Sequence, residues 1–243
     1  MPGPLALVGS GEYLPVMLEV ERTLLSGRPP RYVQLPTAAA PEGPASLDRW
    51  LALGRAQAER LGVEQVPVVV RDRPEADDPD VAALVAGAGL VYLSGGNPVF
   101  LADTLRGTVV WAAIEAAWRD GAALAGCSAG AMAMAASVPD LRRPGGPAHE
   151  GLGVVPQLRV IPHFDRFLGR MPDLLTRPFL RHREGATLIG IDEDTALVGG
   201  PEEFRVQGRQ SVWVLGEGGR HELPIGARVR FPRDGSPWQR LDR

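Results

Sequence analysis

The stretch Ala122-Ala123-Leu124-Ala125-Gly126-Cys127-Ser128-Ala129-Gly130-Ala131-Met132-Ala133-Met134-Ala135-Ala136-Ser137 decides how this chain folds. It opens as an apolar run of strand length, turns through glycines, and continues as a small-residue segment of helical composition. A strand that turns sharply into a helix is the building unit of a parallel α/β sheet. The turn has the form G-x-S-x-G, in which the middle residue takes a strained backbone conformation and its side chain is pushed out of the fold. Residues two positions either side must then be tiny, and Gly126 and Gly130 meet that demand. A tight crossover with glycines for packing alone would use the same residues. The strand–turn–helix setting is what gives the pentapeptide weight.

Outward from this stretch, short apolar runs recur at residues 5–8, 32–35, 66–70 and 90–93, with 122–125 as the fifth. They are continuous rather than alternating, as expected of strands covered on both faces. Between them, residues 46–61 read as an amphipathic helix with Leu47, Trp50, Leu51, Gly54, Ala58 and Leu61 on one stripe. Asn97-Pro98 reads as an N-cap and first-turn proline, opening a helix directly after the fourth strand. The alternation predicts an α/β fold with a doubly wound, mostly parallel sheet. From residue 187 onward the text changes to TLIGIDEDTALVGG, EFRVQG, SVWVLGEGG and ARVRF, which predicts antiparallel hairpins at the sheet's edge. No repeat or long linker divides the chain, so residues 1–243 read as a single domain. The Pro/Gly-rich segment 139–153 follows the elbow and reads as an active-site flap.

Composition narrows the function. The chain has 243 residues, 44% hydrophobic and 23% charged, with a net charge of −3, as in an ordinary soluble globular protein. Every basic residue except histidine is Arg, and without a basic excess no nucleic-acid partner is expected. The single cysteine, Cys127, can form neither an internal disulfide nor a cysteine-based zinc site, and it fits a reducing, cytoplasmic compartment. The N-terminal text MPGPLALVGSGEYLP lacks the basic region and apolar length of a secretory signal, and no run is long enough to cross a bilayer. No membrane partner, metal or organic cofactor is expected.

A serine at such an elbow becomes a nucleophile when a base takes its proton. The N-terminus of the following helix offers free N–H groups and a positive dipole end to an oxyanion. Cys127 competes for the role, but its position before the elbow's centre points it into the fold, as a buried small hydrophobe. Of the four histidines, only His163 ends an apolar strand-like run, VVPQLRVIPH, which would deliver it to the sheet's edge beside Ser128. His149 lies in the flap, His182 among arginines, and His221 in the hairpin region. Four carboxylates compete to orient the imidazole: Glu193 in IDED, Asp140 and Glu150 in the flap, and Asp165 two residues after His163. Glu193 follows TLIGI, a strand expected beside that of His163. A second glycine turn, Leu93-Ser94-Gly95-Gly96-Asn97, ends the fourth strand and could complete an oxyanion hole with Ala129. A plain βα turn would use the same residues, and the spacing matches no phosphate-binding motif.

The ordered motifs GSGEY, YLSGGNPVFL, AGCSAGAMAM, VIPHFDRF and LIGIDEDTALV resemble those of peptidase family S51, which includes aspartyl dipeptidase (peptidase E) and cyanophycinase. The resemblance implies a class I glutamine-amidotransferase-like fold with serine in place of that fold's cysteine. It implies Ser128 as nucleophile, His163 as base and Glu193 as acid, with Gly96, Asn97 and Ala129 around the oxyanion. The implied substrate is a dipeptide or short peptide with an acidic N-terminal residue. Read from spacing alone, Arg166 and Arg170 stand one helical turn apart after His163, either to meet a carboxylate of the substrate's side chain or C-terminus or simply as solvated helix charges. Cyanophycinase-like, carboxypeptidase-like, esterase or amidase activity on the same residues, or an inactive binding protein, are the alternatives. After His163 the text FDRFLGR departs from the patterns of both branches, so the substrate stays open. A homodimer is left open as well.

Overall fold

Four of the five apolar runs become parallel strands nearly as bounded above, and the run 66–70 shifts. The computed structural model describes residues 1–138, 148–167, 186–216 and 219–242. Strands β1 (Leu5–Val8), β2 (Arg31–Leu35), β3 (Glu64–Pro67), β4 (Leu90–Leu93) and β5 (Ala123–Cys127) run parallel in the order β1-β5-β4-β2-β3. The run 66–70 pairs only as far as Pro67, while Val68 and Val70 are fully buried beyond the strand. The Val68 N–H still donates to the Gln34 carbonyl of β2 at 2.8 Å, so apolarity outlasts regular pairing only at the end of the run. After β5 come the short paired strands β6 (Ser137–Val138) and β7 (His149–Glu150), then β8 (Leu158–Ile161) and β9 (Thr187–Ile191). The remaining strands are β10 (Thr195–Gly199), β11 (Glu203–Gly208), β12 (Val212–Gly216), β13 (Gly219–Leu223), β14 (Arg228–Arg230) and β15 (Gln239–Arg240).

Only β10, β11, β14 and β15 extend the main sheet, antiparallel from β1 outward. Strands β8, β9, β12 and β13 form a separate four-stranded sheet in the order β13-β12-β9-β8. This corrects the expectation that the His163 strand lies in the main sheet and that all C-terminal hairpins attach to its edge. The reason is apolar coverage. Leu158, Val160, Ile189, Ile191, Val212 and Val214 are buried in one core with Leu5, Leu7 and Leu197 of the main sheet. An edge strand could not cover those residues, whereas face-on packing of a second sheet does.

The helices are α1 (Leu18–Leu25), α2 (Pro44–Leu61), α3 (Arg73–Ala76), α4 (Pro79–Ala83), α5 (Pro98–Leu105), α6 (Val109–Arg119), α7 (Ala129–Ala133) and α8 (Phe164–Phe167). Side chains alternate across a strand, and both faces of the main sheet are covered. Ala6, Val8, Tyr32, Tyr92 and Cys127 pack with α1 and α2, and Leu5, Val33, Leu93 and Leu124 with α5, α6 and α7. Asn97 caps α5 as expected, its Oδ1 accepting the Phe100 N–H at 3.0 Å. Helix α7 is shorter than the small-residue segment suggested. After Ala133 the chain turns away, because Ala135 bridges to Val155 and β6 pairs with β7.

Candidate active site

Ser128 follows β5 directly, with φ 49° and ψ −107°, and is partly exposed between buried neighbours. Sterics explain the glycines. A Cβ on Gly130 would lie 2.3 Å from the Leu93 carbonyl oxygen, and one on Gly126 2.5 Å from the Gly130 carbonyl carbon. Cys127 faces the opposite way and is fully buried. It is more than a small hydrophobe, since its thiol donates to a Glu12 carboxyl oxygen at 2.8 Å. Burial first, and Glu12 second, push that thiol's pKa well above its ordinary value, so it stays protonated and is no rival nucleophile.

His163 follows the end of β8, with φ 49°. Its Nε2 lies 3.1 Å from Ser128 Oγ and its Nδ1 3.0 Å from Glu193 Oε1. In the tautomer that serves both contacts, Nδ1–H donates to Glu193 and Nε2 accepts the serine proton. Strands β8 and β9 pair in parallel with Ile161 opposite Gly190, which brings the two following segments side by side. Glu193 is held at several points. Its N–H donates to Asp165 Oδ1 at 2.9 Å, and its carbonyl accepts from Thr195 Oγ1 at 3.0 Å and Gln210 Nε2 at 2.9 Å. Next to it, Asp192 is buried and accepts from Trp213 Nε1 at 3.0 Å and the Ser211 N–H at 3.2 Å. Burial raises the Asp192 pKa above the ordinary aspartate value.

The remaining sequence candidates that fall among the described residues are placed around or away from this relay. Asp165 anchors the Glu193 backbone through the Glu193 N–H. Glu150 lies exposed on β7 and pairs with Arg106 at 3.5 Å. His149 is exposed on β7, and the His221 ring packs against Trp238 with centroids 5.6 Å apart. Asp140, Arg170 and His182 lie outside the described residues. Arg166 was expected to bind a substrate carboxylate. Its Nε reaches the second Glu193 oxygen at 2.7 Å, with the side chain 71% exposed. An ion pair that open to solvent adds little stability, so orienting Glu193 is its larger effect.

The Gly95–Gly96 turn lies against the elbow, since a Cβ on Gly95 would be 3.6 Å from Ser128 Cβ. The Asn97 N–H donates to the Ala38 carbonyl at 2.7 Å and its Oδ1 accepts at the α5 cap, which leaves only its side-chain amide N–H groups to face an oxyanion. Gly96 and Ala129 remain the candidate donors beside Ser128. Helix α7 spans only five residues, too few aligned peptides for a full macrodipole, so its first N–H groups matter more than its dipole.

Backbone strain marks the same place. Among the described residues, the non-glycine positions with positive φ are Tyr13, Ser128, His163 and Asp194. Ser128 and His163 are site residues, Asp194 adjoins Glu193, and Tyr13 adjoins Glu12. Such strain concentrates where function holds it. Glu12 itself was missed in the sequence, where its signal was a carboxylate set in the glycine turn GSGEY after the first strand. Among the described residues, no group of three His, Cys, Asp or Glu side chains is arranged to hold a metal ion. Nor is any helix among them long and apolar enough to cross a membrane.

The structure superposes on that of a peptidase from an acI-B1 Actinobacterium with a TM-score of 0.87 and 42% identity, covering 95% of this chain and 98% of that one. A Listeria monocytogenes protein assigned as a peptidase E matches at TM-score 0.58 and 19% identity, over 86% of this chain and 100% of that one, and speaks to the fold alone. Cyanophycinases of Trichormus variabilis and of a Nostoc species are each 30% identical over 171 residues, which is 65% of this chain and 55% of theirs. This chain thus matches about half the length of those curated relatives. The model of peptidase family S51 matches residues 5–206, and the chain belongs to that family.

Proposed function

We propose that this protein is a serine peptidase that cleaves short peptides through an acyl-enzyme on Ser128. The supporting observation is the continuous relay from Glu193 through His163 to the strained Ser128, with contacts of 3.0 and 3.1 Å. Ser128 Oγ attacks the scissile carbonyl carbon while His163 Nε2 takes its proton. Glu193 holds the imidazole tautomer and stabilises the imidazolium. The Gly96 and Ala129 N–H groups receive the oxyanion. Collapse breaks the C–N bond, His163 returns the proton to the leaving amine, and water then releases the acyl group by the same path in reverse.

The proposed substrate is a dipeptide or short peptide, with an acidic N-terminal residue as the first choice. Arg166 stands at the acid end of the relay, where its remaining guanidinium donors can meet a substrate carboxylate. Cyanophycinase-like activity is the second reading, favoured by the curated relatives. The cytoplasm is the proposed compartment, in keeping with one buried free thiol. A fluorophosphonate probe is expected to modify Ser128 in the wild type and to leave Ser128→Ala untouched, with the site read by peptide mass spectrometry. Hydrolysis of a dipeptide library, with cyanophycin alongside, then separates the two readings. Absence of labelling together with inactivity on every substrate would overturn both.

A further inference from the structure

Glu12 is only 8% exposed, and a buried carboxyl is costly unless its oxygens are hydrogen-bonded. Both are. Oε1 accepts the Gly95 N–H at 3.1 Å, and Oε2 accepts the Cys127 thiol at 2.8 Å. These donors are the immediate chain neighbours of Gly96 and of Ser128. The fit is close, because a Cβ on Gly95 would lie 2.6 Å from Oε1. The adjacent residues repeat the connection, with Tyr13 Oη 2.6 Å from Ser94 Oγ.

From this arrangement we infer that Glu12 is a positioning residue that aims the Gly96 N–H at the oxyanion. The inference rests on Ser128 acting as the nucleophile. The Gly96 N–H belongs to the peptide between Gly95 and Gly96. The peptide before it is pinned by the Gly95 N–H bond to Glu12, and the peptide after it by the Asn97 N–H bond to Ala38 at 2.7 Å. Glycine on both sides makes rotation of the middle peptide cheap. Without Glu12 only one of the two flanking restraints remains, and the Gly96 N–H is free to turn away. An oxyanion donor acts mainly in the transition state, so its loss lowers kcat and leaves KM in place.

The test compares Glu12→Leu, which removes the acceptors, with Glu12→Gln, which keeps an acceptor oxygen at the same length. Three quantities are measured: kcat and KM on a cleaved peptide, the rate of fluorophosphonate labelling of Ser128, and affinity for a peptide aldehyde. The leucine variant is expected to lose on the order of 10²-fold in kcat, labelling rate and aldehyde affinity, with KM unmoved. The glutamine variant should recover to within about fivefold of wild type. If the leucine variant does not fold, Glu12→Asp, one methylene too short to span Gly95 and Cys127, should show a loss of about tenfold of the same kind. Variants labelled as fast as wild type, a loss carried by KM, or a glutamine variant as impaired as leucine would overturn the role of Glu12 alone. A wild type in which Ser128 is never labelled would instead sink the nucleophile assignment, and Glu12 with it.

Discussion

Strand β5 delivers Ser128 through a turn of five consecutive residues, whereas β8 and β9 bring His163 and Glu193 together across 30 residues. The main sheet shapes its part of the site by steric exclusion. Gly126 and Gly130 let the elbow fold against Leu93, and the serine follows. The four-stranded sheet shapes its part by pairing register and polar anchors: Ile161 opposite Gly190, Asp165 beneath the Glu193 N–H, and Gln210 on its carbonyl. A nucleophile can thus be written in five residues, while its base and acid need a sheet to meet.

The largest expected effect removes the nucleophile. Ser128→Ala should lower kcat by on the order of 10⁴ or more while the melting temperature holds, since only a hydroxyl is lost. On the other side, Glu193→Gln should cost about 10²- to 10³-fold in kcat by disturbing the imidazole tautomer. Asp165→Asn, which keeps an oxygen for the Glu193 N–H, should cost less than about tenfold. Steady-state kinetics that reverse this order would exchange the roles of the two carboxylates.

Glycine replacements probe the two kinds of shaping directly. Gly130→Ala drives a methyl into the Leu93 carbonyl, which is backbone and cannot step aside, and should destabilise by about 3 kcal/mol or more. Gly190→Ala meets the Phe164 ring at 2.4 Å, and the ring can shift, so about 1–3 kcal/mol is expected. Because Phe164 adjoins His163, that second variant should also lower kcat, and denaturant melts with parallel kinetics separate the two effects. Equal stability losses would erase the distinction between rigid and adjustable neighbours.

The smallest effect on activity is expected at Glu21, whose titration bears on stability. Glu21 is buried under α2, where burial pushes its pKa from 4.5 up to about 8, although Gln57 Nε2 donates to it at 3.0 Å. Between those values the unfolded chain has released a proton that the folded chain keeps. The unfolded state then binds fewer protons, so stability falls as pH rises from 4.5 towards 8. Glu21→Gln should flatten that slope in melts taken across the interval. A slope unchanged by the substitution would show that other groups set it.

Legibility in the sequence follows the same division. Apolar runs and small-residue spacing sufficed for the parallel strands, the Asn97 cap and the elbow, because each is fixed by neighbours in the chain. Glu193 was placed beside His163 by strand adjacency and family resemblance, and the register of β8 on β9 supplies the physical cause. The second sheet was not legible. Only the turn Asp192-Glu193-Asp194 separates β9 from β10, yet one strand joins each sheet, a divergence set by which faces need covering. The Asn97 N–H and Glu12 escaped for a related reason. Their partners Ala38, Gly95 and Cys127 lie at or beyond the ends of other strands, and composition carries no sign of such distant hydrogen bonds.

Three contacts clasp one short segment to a single residue: His163, Asp165 and Arg166 all bind Glu193. Base and acid therefore travel as one body, while the step from His163 to Ser128 crosses from one sheet to the other over 3.1 Å. Were the two sheets to part, the clasp would survive and the crossing would open. Damage to the packing between them then changes how many molecules are competent at a given instant, and not how fast a competent molecule reacts. In a pre-steady-state burst it would appear as a smaller amplitude at an unaltered rate constant, provided the sheets rejoin slowly relative to acylation.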